Sequence, residues 1–67
     1  MQRRKTRLVI YATDVEIITG RNIRTCYEIL DKIRVHFGKK KRDLVTIREF
    51  SEFTKIPEEL VRDLLDP

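Results

Sequence analysis

A chain of 67 residues, 40% hydrophobic and 39% charged, has the composition of one small folded domain rather than a disordered segment. Its single cysteine excludes an internal disulfide, and the sequence holds no Cys/His cluster that could bind a metal. The apolar run near the N-terminus, LVIY, is too short for a signal peptide or a membrane span. We therefore expect one bacterial, cytoplasmic domain over residues 1–67, with a core so small that a homodimer would help to stabilise it.

The net charge of +4 is unevenly distributed along the chain. Residues 1–42 hold 12 Lys and Arg against 4 Asp and Glu, whereas residues 43–67 hold 3 against 7. The first two-thirds therefore carry a net charge of +8 and the last third a net charge of −4. This distribution predicts that one face binds a polyanion while the other meets water, a protein partner or the basic patch of a second copy.

In chain order, the first features are a basic arm over residues 1–7 and a short β-rich run. The run predicts a strand over Leu8–Tyr11. The pattern from Thr13 to Glu16 is that of a capping box, which predicts the start of a helix of about two turns. Gly20 follows the last apolar position of that helix and predicts its end.

A second, longer helix is predicted to follow directly. Asn22 is a suitable capping residue for its start, and Gly38 marks its end. The four residues Lys39–Arg42 then form a strongly basic loop. Apolar residues at spacings of three and four predict one buried stripe along this helix, made of Ile23, Cys26, Ile29, Leu30, Ile33 and Phe37.

Beyond the basic loop, the order of elements repeats. Leu44 and Val45 form a second short β-rich run, and a second capping box, Thr46-Ile-Arg-Glu49, predicts a helix through Phe53. A turn leads to a last helix with Pro57 in its first turn and two glutamates near its positive end. The predicted buried side of this helix consists of Leu60, Val61, Leu64 and Leu65.

An internal repeat becomes visible when the second half is moved by 35 positions onto the first. The matching pairs are Val15 and Phe50, Ile18 and Phe53, Thr19 and Thr54, Cys26 and Val61, Ile29 and Leu64, Leu30 and Leu65, and Asp31 and Asp66. The predicted fold class is therefore mainly α, with two helix-turn-helix hairpins packed together over residues 8–42 and 43–67. Pairing of the two short strands into a ribbon stays open; it would place the Lys39–Arg42 loop like the wing of a winged helix.

The first hairpin resembles the helix-turn-helix DNA-binding motif. In that motif a glycine in the turn is followed by a small capping residue, and then by a basic residue, a threonine and an apolar residue. The matching residues are Val15, Ile18, Gly20, Asn22, Arg24, Thr25, Cys26 and Leu30. Two positions depart from it, Glu16, where alanine is common, and Arg21, where a buried aliphatic residue is common. The resemblance covers about residues 13–37 and implies a recognition helix at about residues 23–37.

The ITG, RT and VTIREF segments also resemble small uncharacterised proteins of Bacteroidetes-type bacteria and their mobile elements. Independently of these resemblances, the helix face opposite the apolar stripe suits DNA. Arg24 could pair with O6 and N7 of guanine, while Asn22 and Thr25 are short enough to contact a phosphate or a thymine methyl. Glu28 repels phosphate unless it accepts from N4 of cytosine. The predicted contacts to double-stranded DNA are Arg21, Asn22, Arg24, Thr25, Glu28, Lys32, Lys39, Lys40, Lys41, Arg42, Arg3 and Arg4.

We therefore predict a small DNA-binding protein, either a transcriptional regulator or an excisionase-like factor. A bland alternative is a solvated helix face with a solubilising loop and arm. A functional alternative is a protein-interaction adaptor or dimerisation module that uses the acidic C-terminal hairpin. RNA binding through the arm and loop is a third alternative, although exposed aromatic residues that stack on bases are scarce.

Little in the sequence indicates an enzyme or a cofactor. Ser51 has no histidine near it in the sequence, and the two glycines form no phosphate-binding loop. We expect structural roles for the remaining chemically distinctive residues. Cys26 belongs to the core stripe, His36 lies near a helix C-terminus, and Tyr11 and Tyr27 are expected at a half-buried rim.

Overall fold

The computed structural model of the protein describes residues 8–65; the basic arm and the last two residues lie outside this part. Four helices and a two-stranded antiparallel ribbon confirm the mainly α fold. In chain order the elements are β1 (Val9–Ile10), α1 (Ala12–Thr19), α2 (Ile23–His36), β2 (Val45–Thr46), α3 (Ile47–Thr54) and α4 (Glu58–Leu65). Within residues 8–65, no helix is both long and apolar enough to cross a membrane.

The two short strands pair, which decides the question that the sequence left open. Val9 lies opposite Thr46, and Ile10 lies opposite Val45. The second strand is shifted by one residue from the β-rich run that predicted it, and Leu44 is exposed before it. The basic loop connects α2 to β2 and does not join the two paired strands, so it is not the hairpin loop that forms a wing.

The capping box predicted from Thr13 to Glu16 is wrong. Helix α1 begins at Ala12, and its cap is Tyr11, whose backbone N–H donates to Asp14 Oδ2 at 2.8 Å. The start moves because the strand ends at Ile10 and leaves only one extended residue before the helix. Thr13 consequently lies exposed in the first turn.

Helix α2 begins and ends where the sequence predicts, within one residue. Asn22 Oδ1 accepts from the Thr25 backbone N–H at 2.9 Å. At the other end Gly38 has a φ of +69°, and the N–H groups of residues 38 and 39 donate to the carbonyls of Val35 and Arg34. This pair of bonds is the Schellman arrangement, which satisfies carbonyls of the last turn. The fully buried residues of α2 are Cys26, Leu30 and Ile33. The predicted burial of Ile23 is wrong, because this first residue of the helix is 37% exposed.

The second capping box is confirmed. The Glu49 N–H donates to Thr46 Oγ1, and the Thr46 N–H donates to Glu49 Oε1, both at 3.0 Å. Helix α3 ends at Lys55, which adopts a left-handed conformation with a φ of 67°. Pro57 immediately precedes α4 rather than lying in its first turn, and its carbonyl accepts from the Val61 N–H at 3.1 Å.

The predicted buried side of α4 is wrong for two of its four residues. Val61 is fully buried and Leu65 is half-buried, but the exposed fractions of Leu60 and Leu64 are 52% and 53%. A helix of eight residues that packs mainly on α1 and α3 buries a narrow stripe. Positions 61 and 65 fill that stripe, and positions 60 and 64 are rotated by about 100° away from it.

The repeat of 35 residues recurs in the structure at the level of individual hydrogen bonds. Helices α1 and α3 have bounds that differ by 35 residues, and so do the starts of α2 and α4. Thr19 Oγ1 donates to the carbonyl four residues earlier at 2.8 Å, and its counterpart Thr54 does the same at 2.8 Å. Each hydroxyl also accepts from the N–H two residues later, and a left-handed residue, Gly20 or Lys55, lies between.

The contacts between the two units follow an approximate two-fold pattern centred on the ribbon. Ile10 pairs with Val45, which is its own counterpart 35 residues later. Helix α1 packs on α4 and helix α2 packs on α3, the reciprocal pair of contacts that a two-fold relation requires. The core lies between the units and includes the fully buried counterparts Val15 and Phe50.

Candidate nucleic-acid interface

The turn between α1 and α2 is held by backbone and core contacts. The Gly20 N–H donates to the Glu16 carbonyl at 2.8 Å, and a φ of +74° at Gly20 reverses the chain. Thr19 Oγ1 accepts from the Arg21 N–H at 3.2 Å, and the Arg21 carbonyl accepts from the buried Cys26 Sγ at 3.6 Å. These contacts occupy the backbone of Arg21 and leave its side chain exposed.

The solvent face of α2 contains three of the predicted DNA contacts and three residues that the prediction missed. Arg24, Glu28 and Lys32 are exposed, as the sequence predicts, whereas Thr25 is half-buried. Tyr27 and Val35, whose exposed fractions are 59% and 79%, and Asp31 lie on the same face. Their spacing of three and four from the predicted residues was the sequence signal. The predicted half-buried rim position is wrong for Tyr27 and also for Tyr11, which is 53% exposed.

Acidic side chains near the ends of α2 and the basic loop are engaged within the protein, whereas six of the eight described basic side chains of the first unit are not. Asp31 Oδ1 forms an ion pair with Arg34 at 2.7 Å, and Asp43 Oδ2 accepts from the Lys40 backbone N–H at 2.8 Å. Among the described residues of this unit, six basic side chains have no hydrogen-bond or ion-pair partner, and all are exposed: Arg21, Arg24, Lys32, Lys40, Lys41 and Arg42. The positive charge of this unit is therefore available to an external anion.

Lys39 differs from the rest of the basic loop. Its Nζ lies 2.8 Å from Glu49 Oε1 and donates to the Leu44 carbonyl. Burial alone would raise the pKa of Glu49, but the bonds from Lys39 and from the Thr46 backbone N–H outweigh burial and hold the pKa below its ordinary value. Lys39 therefore ties the loop to the capping box of α3, and its ammonium is already neutralised.

Apart from Lys32, the exposed basic residues of the first unit lie at the two ends of α2. A helix of 14 residues is about 21 Å long, so Arg21 and Arg24 are separated from the Lys40–Arg42 segment by roughly that distance. A major groove is about 12 Å wide. If α2 enters a groove by its N-terminal end, only Arg21, Arg24 and their neighbours reach base edges, and the loop is too distant to do so.

An open groove of about 210 Å³ adjoins this face of α2. Tyr11, Tyr27 and Leu44, each more than half exposed, lie at its edge, and Ile10 and Leu30 are among the buried residues that line it. The equivalent groove of the second unit, of about 290 Å³, is lined by Leu8, Thr46, Arg48, Glu58 and Arg62. The groove of the first unit therefore has aromatic edges, whereas the corresponding groove of the second unit is mainly charged.

Two residues that could take part in nucleophilic chemistry have separate structural contacts. Ser51 Oγ donates to the Ile56 carbonyl at 2.6 Å, and the His36 ring makes edge contacts with Phe37 and Phe53. Within residues 8–65 there is no group of three or more His, Cys, Asp or Glu side chains that could hold a metal ion. The predicted contacts Arg3 and Arg4 lie outside the described residues.

Comparison of the chain with known proteins found no matching family model, curated protein or solved structure. A functional assignment therefore depends on the geometry and charge of the chain itself.

Proposed function

We propose that the protein binds double-stranded DNA, with its first hairpin acting as a helix-turn-helix and the N-terminal end of α2 placed in the major groove. One observation carries the proposal. Arg21, Asn22 and Arg24 are exposed together at the start of a 14-residue helix, and the two arginine side chains have no partner within residues 8–65. The fixed turn at Gly20 and the cap at Asn22 hold these residues in place before any ligand binds.

The start of α2 offers several donors to a phosphate or a base edge. The backbone N–H groups of Ile23 and Arg24 belong to the first turn and have no acceptor within the helix. They point outward at the positive end of the helix dipole, which favours an anion. Arg24 can donate to O6 and N7 of guanine, and Asn22 keeps its amide donors while its Oδ1 caps the helix.

Glu28 gives the proposed surface selectivity rather than affinity. It lies one turn beyond Arg24 on the exposed face and has no partner within residues 8–65. Its carboxylate repels phosphate, but it can accept from the amino group of cytosine. The role that suits such a small DNA-binding domain is that of a transcriptional regulator or an excisionase-like factor.

The test is a titration of the protein with a random-sequence duplex of 20 base pairs at several salt concentrations between 50 and 200 mM. We expect binding that weakens with salt, with a slope of about 0.9 for each phosphate neutralised. Replacing Arg21 and Arg24 with alanine should weaken binding and reduce the slope by about 1, because Arg21 is the phosphate contact and Arg24 the base contact.

A matched control removes two positive charges from the second unit, by Arg48→Ala and Lys55→Gly. Both residues are exposed, and glycine suits the left-handed conformation of Lys55. We expect this variant to retain most of its affinity for the duplex. No binding at 50 mM salt, or equal losses in the two double variants, would contradict the proposal.

A second candidate function is favoured by the exposed leucines of α4. Leu60 and Leu64 are more than half exposed and are flanked by the exposed residues Glu59 and Asp63, a composition that suits a protein adaptor. A photoreactive residue at position 64, compared with one at the exposed Ile17, tests this function in cells. An adaptor should give a discrete adduct from position 64 only; equal labelling from both positions would count against it.

A further inference from the structure

We infer that a single chain reads one asymmetric, non-palindromic DNA site, with the second hairpin in the place that a second subunit occupies in a dimeric helix-turn-helix protein. This inference rests on the proposed function, because it specifies the kind of DNA that the first hairpin recognises. Three observations carry it: the two-fold relation between the units, the different chemistry of their second helices, and the size of the molecule.

The two-fold relation is satisfied within one chain. In dimeric helix-turn-helix proteins, the symmetry axis lies between two subunits, and the DNA site is a palindrome that mirrors it. Here the strand pair of corresponding residues, Ile10 and Val45, lies within one chain, and the reciprocal helix contacts are internal. The face of each hairpin that packs on its counterpart is therefore already covered.

The second unit lacks the DNA-binding chemistry of the first. At the start of α4, Pro57, Glu58 and Glu59 stand where α2 has Asn22, Ile23 and Arg24. Proline has no amide side chain to donate, and Glu59 is exposed without a side-chain partner within residues 8–65. Two carboxylates at this helix start satisfy its dipole from within the protein and repel a phosphate.

The residue that corresponds to Tyr27 is also unavailable in the second unit. Arg62 takes that position, and its Nη2 lies 3.3 Å from Glu58 Oε1. The ion pair with Glu58 therefore neutralises Arg62, the one cation of α4. Thus the same backbone geometry presents free arginines in one unit and a carboxylate-rich surface in the other.

The size of the molecule independently disfavours two recognition helices in successive major grooves. Half-sites of dimeric proteins are centred 34–36 Å apart along DNA. The longest extent of the molecule is 35 Å, so two helix starts could match two half-sites only if they lay at its opposite extremes. At about 3.4 Å per base pair, one chain covers roughly ten base pairs.

The experiment is selection of binding sites from a random duplex library by the full chain, followed by native mass spectrometry of the protein on the enriched duplex. We expect one non-palindromic motif within about ten base pairs and a complex of one chain per duplex. A palindromic motif that holds two chains would overturn the inference and leave the proposed function intact. No enrichment, together with no duplex binding at low salt, would overturn both.

Charge reversal at equivalent positions provides matched variants. Arg24→Glu and Glu59→Arg both alter exposed residues at the second position of a helix. We expect the first to weaken binding to the enriched site by tenfold or more. The second should leave the motif unchanged and change affinity by less than about threefold, as a distant surface charge does. A longer or palindromic motif for Glu59→Arg would show that the second unit reaches DNA, and would overturn the inference.

Discussion

The two hairpins share a backbone design but differ in charge. In both units a carboxylate three residues after the cap accepts the cap N–H, and the side chain is Asp14 in one unit and Glu49 in the other. In both units a threonine hydroxyl closes the first helix. The start of the second helix, in contrast, is basic in the first unit and acidic in the second. The comparison teaches that a few capping and core positions specify the hairpin, while the exposed helix starts are free to differ in function.

The largest expected effect lies at the core positions that the two units share. Phe50 and Val15 are counterparts, and both side chains are fully buried. Phe50→Ala should cost about 3–5 kcal/mol, whereas Val15→Ala removes fewer carbon atoms and should cost about 2 kcal/mol. Because the stability of so small a domain is itself only about 3–5 kcal/mol, Phe50→Ala should be largely unfolded at 25 °C.

Urea unfolding followed by circular dichroism measures both variants. A lower urea midpoint for Phe50→Ala than for Val15→Ala would show that Phe50 contributes more to the shared core. Equal urea midpoints for the two variants would contradict this asymmetry.

An intermediate effect, opposite in sign between the units, is expected at the left-handed residues that end α1 and α3. An added Cβ at Gly20 would meet no atom within 4 Å, so the cost of Gly20→Ala comes from the backbone alone. We expect a loss of about 1–2 kcal/mol. Lys55→Gly should instead stabilise by up to about 1 kcal/mol, since Lys55 already has a φ of 67°.

Thermal unfolding of these two variants beside the parent protein tests the sign. Lys55→Ala serves as the control, because it keeps the Cβ and should not gain the stability of the glycine variant. A stabilising Gly20→Ala would mean that the two turns are not equivalent.

The smallest effect concerns the ion pair that only the second capping box has. Lys39 and Glu49 are about one-fifth exposed, so Lys39→Met should cost about 0.5–1 kcal/mol at pH 7. The pKa of Glu49 is lowered in the folded protein, so its contribution is present above the ordinary carboxyl pKa and is lost as the pH falls through the folded-state value.

Chemical denaturation at pH 7 and at pH 3 checks this linkage. The difference in stability between the parent and Lys39→Met should shrink at the lower pH. A difference that stays constant between the two pH values would show that Lys39 acts by packing its alkyl chain rather than through Glu49.

Local patterns in the sequence were sufficient to predict most helix starts and ends, because these depend on residues close together in the chain. The Asn22 cap, the Thr46 and Glu49 box, and the glycines at positions 20 and 38 each act within about five residues, and all were predicted correctly. The prediction of the first capping box was wrong because two local patterns overlap there. The position where strand β1 ends selects Asp14 over Glu16.

Most of the candidate surface could also be predicted, because helical periodicity places residues on faces. Arg24, Glu28 and Lys32 are exposed as predicted, and only the width of the face was underestimated when Tyr27 was assigned to a half-buried rim. Lys39 could not be separated from its basic neighbours by sequence, since its partner Glu49 belongs to another helix.

The sequence by itself therefore determined the number and order of the helices, the caps that start α2 and α3, most of the buried stripe of α2 and the polarity of charge between the two units. Those properties depend on contacts between residues close in the chain. Tertiary structure alone decided the ribbon register, the pairing of Lys39 with Glu49, and which apolar residues of α4 are covered. Leu60 and Leu64 have the same periodicity as buried leucines, and they are exposed because α1 and α3 cover only the stripe that contains Val61.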